Sequence, residues 1–254
     1  MSDGIERGAD LTVEEASLLW QLAIRLPRCD SEAEAAAVVM QATAGLEQPP
    51  AFREALAATA AAAIDAIRDR ERLQTLAICD PLTGLSNRRF MEEELERQIH
   101  AMTRLGQPMA VALLDLDHFR RCNEAHGHLA GDLVLRSLAV LLQGFRWGSD
   151  VPCRYGGEEF VVIMPATSAA DAAARLEPLR LRLAETGIHH EGRPLQPVTA
   201  SIGVAEFPTH GTSGTSLLSA ADAALYAAKR AGRNRICTAN PADFSVKNGC
   251  PANR

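Results

Sequence analysis

The sequence predicts an α+β domain built on a central, mainly antiparallel sheet and preceded by an N-terminal helical stalk. Three observations carry this. The run "MAVALLDLD" from Met109 is apolar without a break until it ends in acids, as a buried central strand requires. "RYGGEEFVVIMP" from Arg154 sets Gly156 and Gly157 between two strand-like segments, the pattern of a two-residue hairpin. Around both lie stretches with apolar residues three and four apart, so helices alternate with the strands.

Taken in order, the elements begin with "TVEEASLLWQLAIRL" from Thr12, helical in period and stopped by Pro27. "DSEAEAAAVVMQATAGL" follows, capped by Asp30 or Ser31 and ending near Gly45. After Pro49 and Pro50 a long helix is expected over about 51–78, with Leu56, Ala60, Ala63 and Ile67 at helical spacing. That stripe suits pairing with a second copy until the heptad fails at Arg70. It suits equally a small helical cap packed on its own domain. From "CDPLTGLSNRRF" the texture changes. Asp80-Pro81 opens a turn, and Ser86 or Asn87 caps a helix to about Leu105. The strand from Met109 is followed by helices over about 117–125 and 130–145, then by hairpin strands near 151–155 and 159–164. A helix over about 169–186, the strand "PVTASIGVAEF", a helix closed by Gly232 and the short strand "RICTA" complete the domain. The helix pairs are expected on one face of the sheet. The expected division is 1–78 helical regulatory or dimerisation region, 79–240 α+β domain, and 241–254 flexible tail.

Composition narrows the function. A length of 254 residues with 47% hydrophobic and 23% charged residues describes a globular chain with a proper core. A net charge of −6 argues against a surface that coats a nucleic acid polymer. The six cysteines are scattered without a Cys-x-x-Cys pair, which speaks against a zinc site or a disulfide framework. No segment offers the roughly 20 apolar residues of a membrane span. "MSDGIERGAD" lacks the basic and apolar regions of a signal peptide, so the cytoplasm is the expected compartment.

The chemistry lies where the central strand and the hairpin end. Asp115 and Asp117 are two apart, a spacing that points both side chains the same way on a strand, although Asp117 also suits a helix cap. If that strand neighbours the hairpin, Asp115 meets Glu158 and Glu159. Three carboxylates in close contact cannot all stay ionised without cations. Magnesium resolves the conflict, since it takes oxygen ligands and bridges carboxylates to phosphates. Metal with a polyphosphate points to phosphoryl or nucleotidyl transfer, which needs phosphate cations and base readers. Lys229 and Arg233 in "AAKRAGRNR" share one face at a helix end, where they also suit the helix dipole. Asn123 and Asp132 in "CNEAHGHLAGD" offer an amide and a carboxylate that match the edge of guanine. His126, His128, His189 and His190 assemble into no metal set.

Five motifs in order, "DPLTGLSNRR", "LDLDHFRRCNEAHGHLAGD", "RYGGEEF", "ASIGVA" and "ADAALYAAKRAGRNR", make the stretch from Asp80 to Ala239 resemble the GGDEF family of diguanylate cyclases in its GGEEF variant. The resemblance implies a fold related to nucleotide-cyclase and polymerase palms (ferredoxin-like). It also implies condensation of two GTP molecules into cyclic di-GMP across a homodimer. It implies Mg²⁺ or Mn²⁺ at Asp115, the Leu116 carbonyl, Glu158 and Glu159, with Glu158 also implicated in activating the 3′-hydroxyl. Asn123 and Asp132 match the guanine readers, and Lys229 and Arg233 the phosphate contacts. Phe119 and Arg120 belong to the same substrate motif, and Gly156 and Gly157 let the turn lie close to the nucleotide.

Two positions depart mildly from the family's habit, Arg120 for Lys and Glu124 for Asp. A third departure is larger. The family's inhibitory product site is an Arg-x-x-Asp motif ahead of the Gly-Gly turn. Here it reads "WGSD", with Asp150 kept and Trp147 in the arginine's place. The alternative to a working cyclase is an inactive domain that binds nucleotide or a partner, but Asp115, Glu158 and Glu159 are all present. A regulatory protein or signal would act at the N-terminal helices.

Overall fold

A computed structural model of the chain describes residues 18, 21, 22, 26, 31–43, 50–146 and 148–240. Trp147, the tail 241–254 and most of the helix expected from Thr12 lie outside the described residues. The chain divides into two compact units, one ending at Leu76 and the other beginning at Ala77. Among the described residues no helix is long and apolar enough to cross a membrane.

In the first unit α1 (Glu32–Thr43) starts at Ser31, whose Oγ accepts the Glu34 N–H at 3.2 Å. The long helix α2 spans Pro50–Ile78. Its residues Leu56, Ala63 and Ile67 are buried in one apolar cluster with Leu22, Leu26, Ala35 and Phe52. Three of the four stripe residues are therefore engaged inside the unit, while Ala60 is half-buried outside that cluster.

The second unit opens with α3 (Arg88–Leu105), capped by the Asn87 side chain on the Phe90 N–H. The strand β1 (Met109–Leu116) leads to α4 (Phe119–His126) and α5 (His128–Gly144). The hairpin β2 (Val151–Gly156) and β3 (Glu159–Pro165) precedes α6 (Ala169–Glu185). A small hairpin, β4 (His189–His190) with β5 (Arg193–Pro194), stands apart from the main sheet. Strand β6 (Ala200–Phe207), α7 (Gly214–Arg230) and β7 (Ile236–Thr238) complete the unit.

The main sheet runs β2-β3-β1-β6-β7. Strand β1 is antiparallel to both β3 and β6, and β7 alone is parallel, to β6. All eight residues of β1 are buried. Its alternation divides them between two cores. Ala110, Ala112 and Leu114 pack in a cluster with α5 and α6 residues such as Leu138 and Leu179. Met109, Val111 and Leu113 pack in another with α3 and α7 residues such as Leu95 and Leu217. Helices thus cover both faces, which corrects the expectation of one. A strand apolar on both sides needs cover on both sides.

The α7 layer sits unusually close. A Cβ added at Gly203 of β6 would lie 2.1 Å from the Ala221 carbonyl oxygen and 2.2 Å from the Leu225 nitrogen. Both contacts are backbone, so the helix seats against the strand only because position 203 has no side chain. Gly203→Ala should cost at least about 1–3 kcal/mol of stability through overpacking. Denaturant unfolding measures this, and a midpoint equal to wild type would contradict the close seating.

Candidate active site

The hairpin tip is fixed by one arginine. Arg154 Nη2 donates to the Gly157 carbonyl at 2.8 Å, and its Nη1 donates to both Asp80 oxygens at 3.1 Å. Asp80 Oδ1 also accepts the Thr83 N–H at 2.9 Å and the Thr83 hydroxyl at 2.7 Å. Burial alone would raise the Asp80 carboxyl, but the bonds from Thr83 and then Arg154 outweigh it and hold the acid below its ordinary value. The turn after α2 and the Gly-Gly turn are thereby tied together. Gly157 has φ +50°, a conformation few side chains tolerate. A Cβ at Gly156 would meet no protein atom within 4 Å, so the space beside it is open to a ligand.

Beyond the turn, Asp115 stands directly opposite Glu159 in the β1–β3 register, and the Leu116 N–H points to the Glu158 carbonyl at 3.4 Å. Asp115 is buried, and Lys229 Nζ from the last turn of α7 lies 2.8 Å from its Oδ2. Burial nevertheless raises the Asp115 pKa, against the opposing pull of Lys229 and, more weakly, Arg233. Glu158 and Glu159 are raised too, by burial first and then by the Asp115 charge. The three carboxylates neighbour and repel one another. Among the described residues, however, no three His, Cys, Asp or Glu side chains form a closed metal nest. The cation that Asp115 holds is an ammonium.

Asp117 lies one residue beyond the end of β1 and does not join them. It accepts the Ser201 and Thr199 hydroxyls at 2.7 Å and the Asn234 N–H at 3.0 Å. Nor does it cap α4, whose N-cap residue is His118. Asn123 and Asp132 form a second group, on α4 and α5. The Asn123 Oδ1 is buried without a hydrogen-bond partner and, with the Phe119 ring, fills the space that a side chain at Gly131 would need. Asp132 faces Arg136 at 3.9 Å. Arg120 belongs to neither group, being exposed and bonded to Glu124 at 2.8 Å. Asp150 is buried and paired with Arg175, which also donates to the Thr167 hydroxyl at 3.1 Å.

A sequence profile described as "Diguanylate cyclase, GGDEF domain" matches residues 77–235. The chain belongs to the GGDEF family. It is 44% identical over 160 residues to the diguanylate cyclase DgcP of Pseudomonas aeruginosa, covering 63% of this chain and 24% of that one. It thus spans between about a quarter and a third of the length of such relatives. Its structure is similar to the coiled coil and GGDEF domain of DgcB from Caulobacter crescentus in complex with c-di-GMP. That likeness has TM-score 0.66 and 35% identity, over 73% of this chain and 98% of that one. It is also similar to the diguanylate cyclase SiaD in complex with its activator SiaC from P. aeruginosa. Here the TM-score is 0.61 and the identity 31%, over 89% of this chain and 88% of that one.

A GGDEF domain implies a divalent cation, and the donor set here fits one. Its members are oxygen donors whose ionisation is suppressed first by burial and then by neighbouring carboxylates, which a cation would relieve. Sequence reasoning missed Arg154–Asp80 and a cavity of about 580 Å³ lined by Arg88, Tyr155, Glu159 and Asp222. Arg88 stacks on Tyr155 with 4.5 Å from guanidinium to ring centre. The only signal for either is the run of motif residues at 80–88 and 154–159, whose contacts are non-local.

A carboxyl raised above its unfolded value contributes stability that is present at low pH and lost as pH rises through the folded value. Removing the charge of Glu159 should therefore stabilise the protein at neutral pH. Glu159→Gln is expected to raise the thermal midpoint by roughly 1–3 °C at pH 7.5, an advantage that shrinks below about pH 4.5. Calorimetry of both proteins at the two pH values measures it, and a lower midpoint at pH 7.5 would contradict the repulsion.

Proposed function

We propose that residues 79–240 form a diguanylate cyclase domain that condenses two GTP molecules into cyclic di-GMP and releases pyrophosphate. The observation that carries this reading is the meeting of Asp115, Glu158 and Glu159 with Lys229 at one end of the sheet, in a chain of the GGDEF family. Asp115, Glu158, Glu159 and the Leu116 carbonyl would hold Mg²⁺ or Mn²⁺. Bound there, such an ion offsets phosphate charge, acidifies the attacking hydroxyl and steadies the leaving pyrophosphate. Glu158, with its raised pKa, is suited to receive the 3′-hydroxyl proton. Lys229 turns from Asp115 to the triphosphate, and Arg233 serves it from the loop beyond α7. Asn123 and Asp132 read guanine beside Phe119, and the unpaired Oδ1 of Asn123 would meet a base N–H once the amide turns away from Gly131. Arg120 would reach phosphate only by leaving Glu124.

Each protomer holds one nucleotide, so turnover requires two domains face to face in a homodimer. Residues 1–78 serve as the regulatory and dimerisation region, and 241–254 as a tail. The likeness to SiaD, which extends over 89% of this chain, supports a protein partner or signal acting at the N-terminal helices.

The deciding test is the full chain with GTP and Mg²⁺, its product identified by mass. Glu158→Gln should lower the rate by about 10³-fold or more, because it removes a metal-facing charge at nearly constant volume. A near-normal rate in a folded variant would overturn the site. No cyclic di-GMP from the wild-type chain, as monomer or dimer, would overturn the reaction.

Product inhibition should be weak. Trp147 replaces a forked cation with one neutral N–H, and Asp150 is already paired with Arg175. Losing such a charged contact costs about 1.5–3 kcal/mol, or one to two orders of magnitude in affinity. Initial rates against added cyclic di-GMP at fixed GTP measure it. Strong non-competitive inhibition abolished by Asp150→Ala would show a working inhibitory site.

A further inference from the structure

The loop that carries Arg233 is held in an unusual conformation. Gly232, Arg233 and Asn234 all have positive φ, +110°, +60° and +48°. Two of the three have side chains, and such residues keep left-handed geometry only where surroundings over-determine it. Four contacts supply that here. The Arg233 N–H donates to the Ala228 carbonyl at 3.1 Å, and the Arg233 carbonyl accepts from Arg235 Nε at 3.1 Å. The Asn234 N–H donates to Asp117 Oδ2 at 3.0 Å, and Asn234 Oδ1 accepts from Arg180 Nη1 at 2.5 Å.

The last two contacts come from far away in sequence, and both donors of order are buried charges. Asp117 is 7% exposed and is fixed in turn by the Thr199 and Ser201 hydroxyls. Arg180 is 8% exposed and forks onto Glu177, with Nε on Oε2 at 2.8 Å and Nη2 on Oε1. A buried carboxylate and a buried guanidinium are costly unless fully bonded, and here both direct a bond to the same residue, Asn234. Asp117 is also two residues from Asp115, whose ionisation the Arg233 charge assists. The end of β1 therefore sets both the carboxylate and, through Asn234, the backbone from which Arg233 projects.

We propose that Asp117 and Arg180 are positioning residues that clamp Asn234 and so aim Arg233 at the triphosphate. This rests on reading Arg233 as a phosphate contact. The clamp itself can be tested without nucleotide. Amide hydrogen exchange of the full chain should show residues 232–235 exchanging about tenfold faster in Arg180→Met than in wild type. Asn234→Gly is the second variant. It tolerates the left-handed geometry, keeps the N–H bonded to Asp117 and removes the acceptor of Arg180, so it guards against misfolding of the first.

The functional arm is a double-mutant cycle on binding of a non-hydrolysable GTP analogue, with guanosine as control. Asn234→Gly should weaken the analogue by about tenfold and leave guanosine unchanged, and should add little in the Arg233→Ala background. Equal losses in both backgrounds, or unchanged exchange in folded Asn234→Gly, would overturn the clamp. Faster exchange in both variants, with the analogue bound as tightly by Arg233→Ala as by wild type, would leave the clamp in place and overturn Arg233 as a phosphate contact.

Discussion

A carboxylate at the end of a fully buried strand is the constraint from which the site follows. Asp115 stands one residue before the end of an eight-residue strand with no exposed position, so its charge is taken largely out of water. A buried charge of this kind must be paired, neutralised or given a metal. The chain answers with Lys229 on Asp115, and sets Glu158 and Glu159 close enough to raise one another. Because the cluster repels itself, it is a poor structural feature and a good receptor for positive charge. Stability is given up there, and the proposed metal would restore it.

The cations at the end of α7 show how one helix terminus does two jobs. Basic residues in a last turn complement the helix dipole, which is an ordinary structural role. Arg230 fits that role and lies over the Tyr226 ring on the surface at 5.9 Å. Its neighbour Lys229 turns instead to the buried Asp115. Adjacent residues of like charge thus face different surroundings, and composition alone does not distinguish them.

Much of this was legible because the signals are local. Gly156-Gly157 marks a turn, the apolar run from Met109 marks a strand, and Asn87 marks a helix start, each within a few residues of sequence. Asp117 was harder. Its two-residue spacing from Asp115 suggests a shared face only while the strand continues, and β1 stops at Leu116. The Arg154–Asp80 pair spans 74 residues and the Asp117–Asn234 bond 117, and no window of sequence reports contacts at that range. The two-residue strands β4 and β5 are too short for any period to appear. Cover on both sheet faces follows from the unbroken apolar run of β1, which leaves neither face for water.

The close seating of α7 on β6 at Gly203 has a consequence for motion. A helix separated from a sheet by a layer of side chains can slide, because rotamers exchange as it moves. Where backbone meets backbone, that lubricating layer is missing, and the helix and strand travel as one body. A domain so stiff has little internal state in which to store a signal. If turnover needs two such domains face to face, as proposed above, a regulator would act on how often they meet.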